Sequence, residues 1–358
     1  MIGYYVHHQG RGHLHRALNI AEHMAEPLTL LSSLPRPVQW AGGWVHLPRD
    51  ESPRVDPDAT ANGVLHWAPA RHPGLRTRMA KIAAWIDEHV PSLFVSDVSV
   101  EVALMARLMG IPVVAVAMPG DRTDQPHRTE YAMVDALLAP WPSTISPADP
   151  QWPESWRAKT CFSGAFSRFD ARPPVPATST TRNVLVMFGA GGSVVNHEDI
   201  AAAASATPGW NWRTLGGPGA QDWVRDPWSA LCEADIVVTH AGQNAVAECA
   251  AARRPAVIIP QQRPHGEQHA TAAALHRAGL ALVRDSWPAP DQWPALLHTA
   301  STLDGERWTA WSPGDGARVA ATFLSDLAAR FHEPAAISVV RASGDSRVGV
   351  RAGNGGAP

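Results

Sequence analysis

A chain of 358 residues has room for two domains of ordinary size, and 45% apolar against 18% charged residues is the balance of a folded globular protein. A formal charge of −3, carried with only two lysines (Lys81 and Lys159) among the cations, excludes a nucleic-acid binder, which needs a basic surface to displace counterions. Three cysteines, Cys161, Cys232 and Cys249, stand far apart in apolar surroundings and make neither a disulfide framework nor a zinc knuckle.

The first residues, "MIGYYVHHQGRGHLHRAL", lack the basic and then apolar regions of a signal peptide, and no apolar run approaches the ~20 residues of a membrane span. The expected compartment is the cytoplasm. "IGYYV" (2–6) reads as a strand, "HLHRALNIAEHMA" (13–25) as an amphipathic helix and "LTLLS" (28–32) as a second strand. A Pro/Gly/Asp-rich stretch at 48–63 holds Asp56 and Asp58 in "VDPDA", a spacing that elsewhere holds a metal, but here in a proline-rich loop that reads as a turn. A helix near 71–89, the strand "LFVS" (93–96), a helix at 97–109 and the strand "PVVAV" (112–116) follow. Strands alternating with helices predict βαβ units and a parallel sheet.

"RPPVPATSTTR" (172–182) is linker-like, and beyond it the alternation restarts. "NVLVMF" (183–188), a glycine turn, a helix near 194–206, "DIVVT" (235–239), a helix at 243–252, "PAVIIP" (255–260) and a helix at 266–278 come in turn, with a last helix at 314–331. The chain is therefore predicted to be α/β, with two doubly wound, Rossmann-like domains facing a cleft. Their expected bounds are 1–170 and 183–332, joined by a linker at 171–182 and followed by a disordered tail at 333–358.

In open parallel sheets ligands collect beyond the carboxyl ends of the strands. There "DIVVT" runs into His240, Gly242 lets a ligand approach the backbone, and the next helix carries Asn244 and Glu248 at i,i+4 spacing on one face. "PAVIIP" runs into a loop whose far end, "GEQ", brings Glu267 and Gln268. Physically this is a phosphate cradle at a helix N-terminus, a carboxylate for a pair of ribose hydroxyls and a polar pair for a sugar. Helix capping and solvated helix faces are the plainer explanation for any one of these residues.

"THAGQNAVAEC…RPAVIIP…GEQHATAAAL…AGLAL" resembles the nucleotide-sugar donor signature of GT-B glycosyltransferases, above all the family-28 C-terminal domain, with plant and antibiotic UDP-glycosyltransferases as relatives. The likeness covers 183–285 well, the first half loosely and the tail not at all. It implies a GT-B architecture, with His240 on the diphosphate, Glu248 on the ribose and Glu267 with Gln268 on the donor sugar. Gln243 stands where many relatives carry tryptophan, and the base-stacking tryptophan of plant members has only Trp223, beside Val224, as a rough counterpart. The turn "FGAGGS" (188–193), with Gly189, Gly191 and Gly192, is expected across the cleft from His240, where it would admit the diphosphate or the sugar.

After the first strand, Gly10 and Gly12 turn the chain into a helix that starts at His13. The resemblance implies that His13 is the general base toward the acceptor hydroxyl, and imidazole suits that task with an unperturbed pKa of about 6.5. A packed or phosphate-binding histidine is the alternative. Asp97, at a strand end, is implied to orient His13; a simple helix cap is the alternative. His7, His8 and His15 crowd the same turn, but their spacing is a poor ligand set, and neither a metal nor another cofactor is expected. The loop "PGDRTDQPHRTEY" (119–131) brings Arg122, His127 and Arg128 to the acceptor rim, or forms a solvated loop.

The resulting expectation is an inverting, metal-independent glycosyltransferase using a nucleotide sugar, a UDP-sugar by resemblance. A non-catalytic nucleotide-sugar-binding partner protein and a nucleotide-sugar 2-epimerase of the same fold are the rivals. The acceptor, whether small molecule, lipid or glycan, is not legible, and a peripheral membrane contact is left open. Fifteen tryptophans, Trp40, Trp44, Trp67 and Trp85 among them, serve either an aromatic or lipid site or the core.

Overall fold

The computed structural model describes residues 1–51, 58–148, 150–175, 181–188, 195–216, 224 and 226–332. Asp56, the glycines 189, 191 and 192, Trp223, much of the proline-rich linker and the expected disordered tail lie outside the described residues.

Two parallel sheets form the frame. The first holds β1 (Ile2–Val6), β2 (Leu28–Ser32), β3 (Gly43–His46), β4 (Leu93–Asp97), β5 (Val113–Val116), β6 (Ala136–Ala139) and β7 (Thr160–Phe162), in the spatial order β3-β2-β1-β4-β5-β6-β7. Its helices are α1 (Gly12–Ala21), α2 (Pro73–His89), α3 (Val100–Leu108), α4 (Gln125–Met133) and α5 (Glu154–Arg157). The second sheet holds β8 (Arg182–Met187), β9 (Trp210–Leu215), β10 (Ile236–Thr239), β11 (Ala256–Ile258) and β12 (Leu282–Val283), in the order β12-β11-β10-β8-β9. It is accompanied by α6 (His197–Ala206), α7 (Trp228–Glu233), α8 (Gln243–Ala251), α9 (Glu267–Arg277), α10 (Trp293–Ala300) and α11 (Gly316–His332).

The apolar runs form these strands because both faces of each sheet are covered. Alternate residues pass to opposite sides. Tyr5, Phe94, Val113 and Leu137 pack with Ile82, Trp85 and Ala103 of α2 and α3, while Tyr4, Val6, Val95 and Val114 pack with Leu14, Ala17 and Ile20 of α1. In the second sheet Val184, Val186 and Val238 face Trp293 and Leu297, and Leu185, Met187 and Val237 face Leu231 and Cys249.

The last helix departs from the expected partition. α11 follows the second sheet in the chain, yet Ala317, Ala320, Ala321, Leu324 and Ala328 pack into the core of the first, beside α1. Ser325 also donates to Glu26 at 2.6 Å. The chain thus crosses between domains twice, and the crossings touch: Ala165 N–H donates to Trp311 O at 2.9 Å and Ser312 Oγ to Ala165 O at 2.9 Å. Trp85 is core, Trp40 and Trp44 pack partly buried on the first domain, and Trp67 donates its indole N–H to Asp50 O at 3.0 Å.

Each sheet reverses its strand order at one place, between β1 and β4 in the first and between β8 and β10 in the second. A crevice opens at such a reversal, beyond the carboxyl ends of the flanking strands.

Candidate functional site

At the first reversal Val6 pairs with Asp97, so the turn after β1 and the end of β4 are neighbours. Gly10, at φ 73°, takes the left-handed conformation that sends the chain into α1. His13 and Arg16 then share a helix face and converge on one carboxylate. His13 Nδ1 lies 2.8 Å from Asp97 Oδ1, Arg16 Nη1 donates to the same oxygen at 2.8 Å, and the Tyr4 hydroxyl donates to Oδ2 at 3.0 Å. Asp97 is fully buried, whereas His13 keeps 15% of its side chain exposed toward the cleft. Burial alone would raise the Asp97 pKa; Arg16, then His13 and Tyr4, more than reverse this and hold it below the usual carboxylate value.

Asp97 is not a helix cap. α3 is capped by Ser99, whose side chain accepts from Val102 N–H. Between them Val98 holds a φ of 63°, strained for a β-branched residue, and such strain clusters where surrounding structure imposes a geometry for function. The carboxylate accepts a hydrogen bond from His13 Nδ1–H, which makes Nε2 the nitrogen with a lone pair.

At the second reversal β10 runs into His240. Gly242 N–H donates to His240 Nδ1 at 2.9 Å, and a Cβ at position 242 would sit 2.4 Å from the ring. Only glycine fits there. Burial, then Arg263, brings the His240 pKa down to about 4, so at neutral pH the ring is uncharged and its Nε2–H is the donor group. α8 begins at once and presents free N–H groups beside it.

The two crevices face each other and are joined. Arg16 Nη2 donates to Gln243 Oε1, Asn244 Nδ2 donates to His15 Nδ1 at 3.3 Å, and Gly12 lies against Asn244. Gln243 Nε2 is buried with no hydrogen-bond partner among the described residues. Arg122 Nη2 lies 3.4 Å from Glu267 Oε2, and Asp121 N–H donates to His265 O at 2.9 Å.

The remaining expected residues are placed less simply. Glu248 is buried and accepts from Arg168 Nε at 2.9 Å; Arg168 comes from the crossing segment after β7 and lies over the Phe169 ring. Burial raises the Glu248 pKa, and Arg168 offsets only part of that. Gln268 Oε1 accepts from Gln261 N–H at 2.9 Å, so its amide shapes the loop after β11. Val224 is exposed. Arg122 and His127 are buried, with Arg122 held on Pro119 O at 2.9 Å, whereas Arg128 is exposed, so the two arginines do not converge.

Sequence reasoning missed Arg16, Arg168, His66 and His265. Arg16 carried a signal, its i+3 spacing from His13; Arg168 carried none. His8 pairs with Glu51 at 2.8 Å and His7 stacks on His8, apart from the cleft contacts of His15.

With this geometry in view, residues 224–290 match the glycosyltransferase family 28 C-terminal domain. A UDP-N-acetylglucosamine–N-acetylmuramyl-(pentapeptide) pyrophosphoryl-undecaprenol N-acetylglucosamine transferase of Nitratidesulfovibrio vulgaris is 27% identical over 221 residues, 54% of this chain and 58% of that protein. The chain thus spans little over half the length of this curated relative. The kitacinnamycin glycotransferase superposes with a TM-score of 0.67 at 16% identity, covering 91% of this chain and 98% of the other. The calicheamicin glycosyltransferase gives 0.64 at 18%, covering 93% and 99%, and Acinetobacter baumannii MurG 0.62 at 16%, covering 91% and 99%. The architecture is that of GT-B proteins.

Proposed function

We propose that this GT-B glycosyltransferase, with its family-28 segment on the donor side, moves a sugar from a nucleotide sugar to an acceptor hydroxyl with inversion. The observation that carries the reading is the facing pair of crevices: a histidine–aspartate dyad on one side and a neutral histidine at a helix N-terminus on the other. In the proposed reaction His13 Nε2 takes the proton of the acceptor hydroxyl while that oxygen attacks the anomeric carbon from the face opposite the diphosphate. Asp97 steadies the imidazolium that forms, the role of the orienting carboxylate in a serine-protease triad. The bond from sugar to diphosphate breaks as the new one forms, and its electron pair leaves on the diphosphate.

His240 Nε2–H and the first N–H groups of α8 meet that charge, so no metal is assigned to the diphosphate. Glu248 is proposed for the ribose hydroxyls, which requires it to share or leave Arg168, and Glu267 with Gln268 for the donor sugar. UDP is the proposed nucleotide, supported by the name of the curated relative. The acceptor is a small molecule, lipid or glycan, and the compartment is proposed to be the cytoplasm. No helix among the described residues is long and apolar enough to cross a membrane, so a lipid acceptor would be reached by peripheral contact.

Incubation with UDP-sugars, alone and with an acceptor panel, tests this. Transfer to an acceptor with inverted configuration is expected. An epimerised sugar nucleotide formed without acceptor would replace the reading with an epimerase, and nucleotide binding without turnover on any acceptor would leave a binding partner.

A further inference from the structure

His66, Asp124, His127 and His265 meet where the two domains touch, beside the Arg122–Glu267 pair, with ligand-capable atoms all within 4.8 Å of one another. Asp124 is the hub. His66 Nε2 lies 3.2 Å from its Oδ1, and His127 Nδ1 and His265 Nδ1 lie 2.7 and 3.3 Å from its Oδ2. The three rings surround it, with centroids 4.3 to 5.6 Å apart.

We propose that these four residues form a mononuclear transition-metal site, zinc by ligand preference, shared between the N-terminal and the donor domain. A tetrahedral ion with bonds of about 2.0–2.1 Å separates its ligand atoms by roughly 3.3–3.4 Å, which the four side chains, already within 4.8 Å of one another, reach by small side-chain rotations. Three imidazoles and one carboxylate suit zinc and its neighbours; magnesium and calcium take oxygen sets.

Each ligand is held by groups of its own. Glu101 Oε1 accepts the backbone N–H of His66 and of Trp67, at 2.9 and 3.0 Å. Asp124 caps α4 by accepting His127 N–H at 3.0 Å. His265 stands at φ 59°, with its carbonyl fixed by Asp121 N–H; a Cβ at Gly120 would meet that carbonyl at 2.2 Å, so glycine is required for the two loops to approach. A non-glycine residue held at positive φ by this much surrounding structure is a strained presentation of a side chain.

Loading requires one tautomer change. Arg122 Nη1 lies 3.3 Å from His127 Nε2, which places the ring proton on Nδ1 toward Asp124. A metal on Nδ1 moves that proton to Nε2 and breaks the Arg122 contact, while Arg122 keeps Pro119 O. His66, Asp124 and His265 are each about one-third exposed, so an ion can enter. Because three ligands belong to one domain and His265 to the other, the bound metal and the docked arrangement stabilise each other.

The test is titration of the metal-free full chain with Co²⁺, read by the visible bands of tetrahedral cobalt, followed by displacement with Zn²⁺. One ion per chain is expected. His265→Asn, which tolerates the positive φ, and His66→Gln should each weaken binding more than the ~10–100-fold cost of losing an outer-sphere partner. His298→Asn, at an exposed position of α10, should leave it unchanged. Absence of stoichiometric binding by folded wild type would reduce the cluster to hydrogen bonds around a helix cap, and binding indifferent to His265→Asn and His66→Gln would place the metal elsewhere. Either result overturns the proposal and leaves the transfer reaction untouched.

Discussion

His13 reaches the cleft with one ring nitrogen bound to a buried carboxylate, and this division of labour sets the first expectation. His13→Ala should slow transfer by about 10²–10⁴-fold while UDP affinity, measured by calorimetry, stays near wild type. Asp97→Asn should also slow transfer, and the double variant should be little worse than His13→Ala, because the two act as a unit. Full transfer rate in His13→Ala would remove the residue from the mechanism. A second residue matters for stability rather than chemistry. Glu130 of α4 is buried with Oε1 unpartnered, and burial, reinforced by Glu101, pushes its pKa up to about 8. The folded state therefore holds a proton that the unfolded chain releases above about 4.5, so this residue costs stability as pH rises from about 4.5 to 8. Glu130→Gln is expected to be near neutral at pH 4.5 and stabilising by a few kcal/mol at pH 8, in urea unfolding followed at both pH values. An equal effect at both would mean that Glu130 finds a partner for its charge.

The elements that carry the dyad also carry its link to the other domain. Arg16 lies one turn after His13 on α1 and binds both Asp97 and Gln243, the first residue of α8, so α1 senses whether α8 is docked. Arg16→Met should reduce transfer by about 10–100-fold, the worth of a charged hydrogen bond, with UDP affinity little changed. A loss confined to thermal stability, with normal turnover per folded molecule, would make Arg16 structural only. The strands β1, β2, β4, β5, β8, β10 and β11 and the helices bearing His13, Asn244 and Glu267 were legible in the sequence, because strands buried on both faces read as unbroken apolar runs; β6, the short run "ALLA", is equally buried and was not read. β3 and β7 were not: as edge strands, "GWVH" and "TCF" are only partly buried and have no such run. His13 and Asp97 stood out because one follows β1 and the other ends β4, and their pairing was implied by the family resemblance. Arg16, which shares Asp97 with His13, had only its i+3 spacing as a signal, and the Arg168–Glu248 pair and the histidines around Asp124 had none, since these contacts arise from the docking of one domain on the other and from segments far apart in the chain.

At the scale of the whole molecule, the domains are already in contact across the cleft through Arg16–Gln243, His15–Asn244 and Arg122–Glu267. If His240 meets the diphosphate as proposed, the nucleotide sugar needs an open path to it, so these contacts are expected to open and close with the donor. Small-angle scattering should give a larger radius of gyration for the free protein than for the UDP complex; no change at saturating UDP would mean that the docked form persists throughout. The connection between the domains is a double one, because the segment at Ala165 and the segment at Trp311 and Ser312 run side by side. That second crossing bears on how the protein is made. α11 packs beside α1 and completes the core that α1 shares with the first sheet, so part of that core's apolar surface stays uncovered while the second domain is being synthesised. Of the two domains, the one made earlier is then the last to be finished, its closing piece arriving only after an entire second domain has had time to fold.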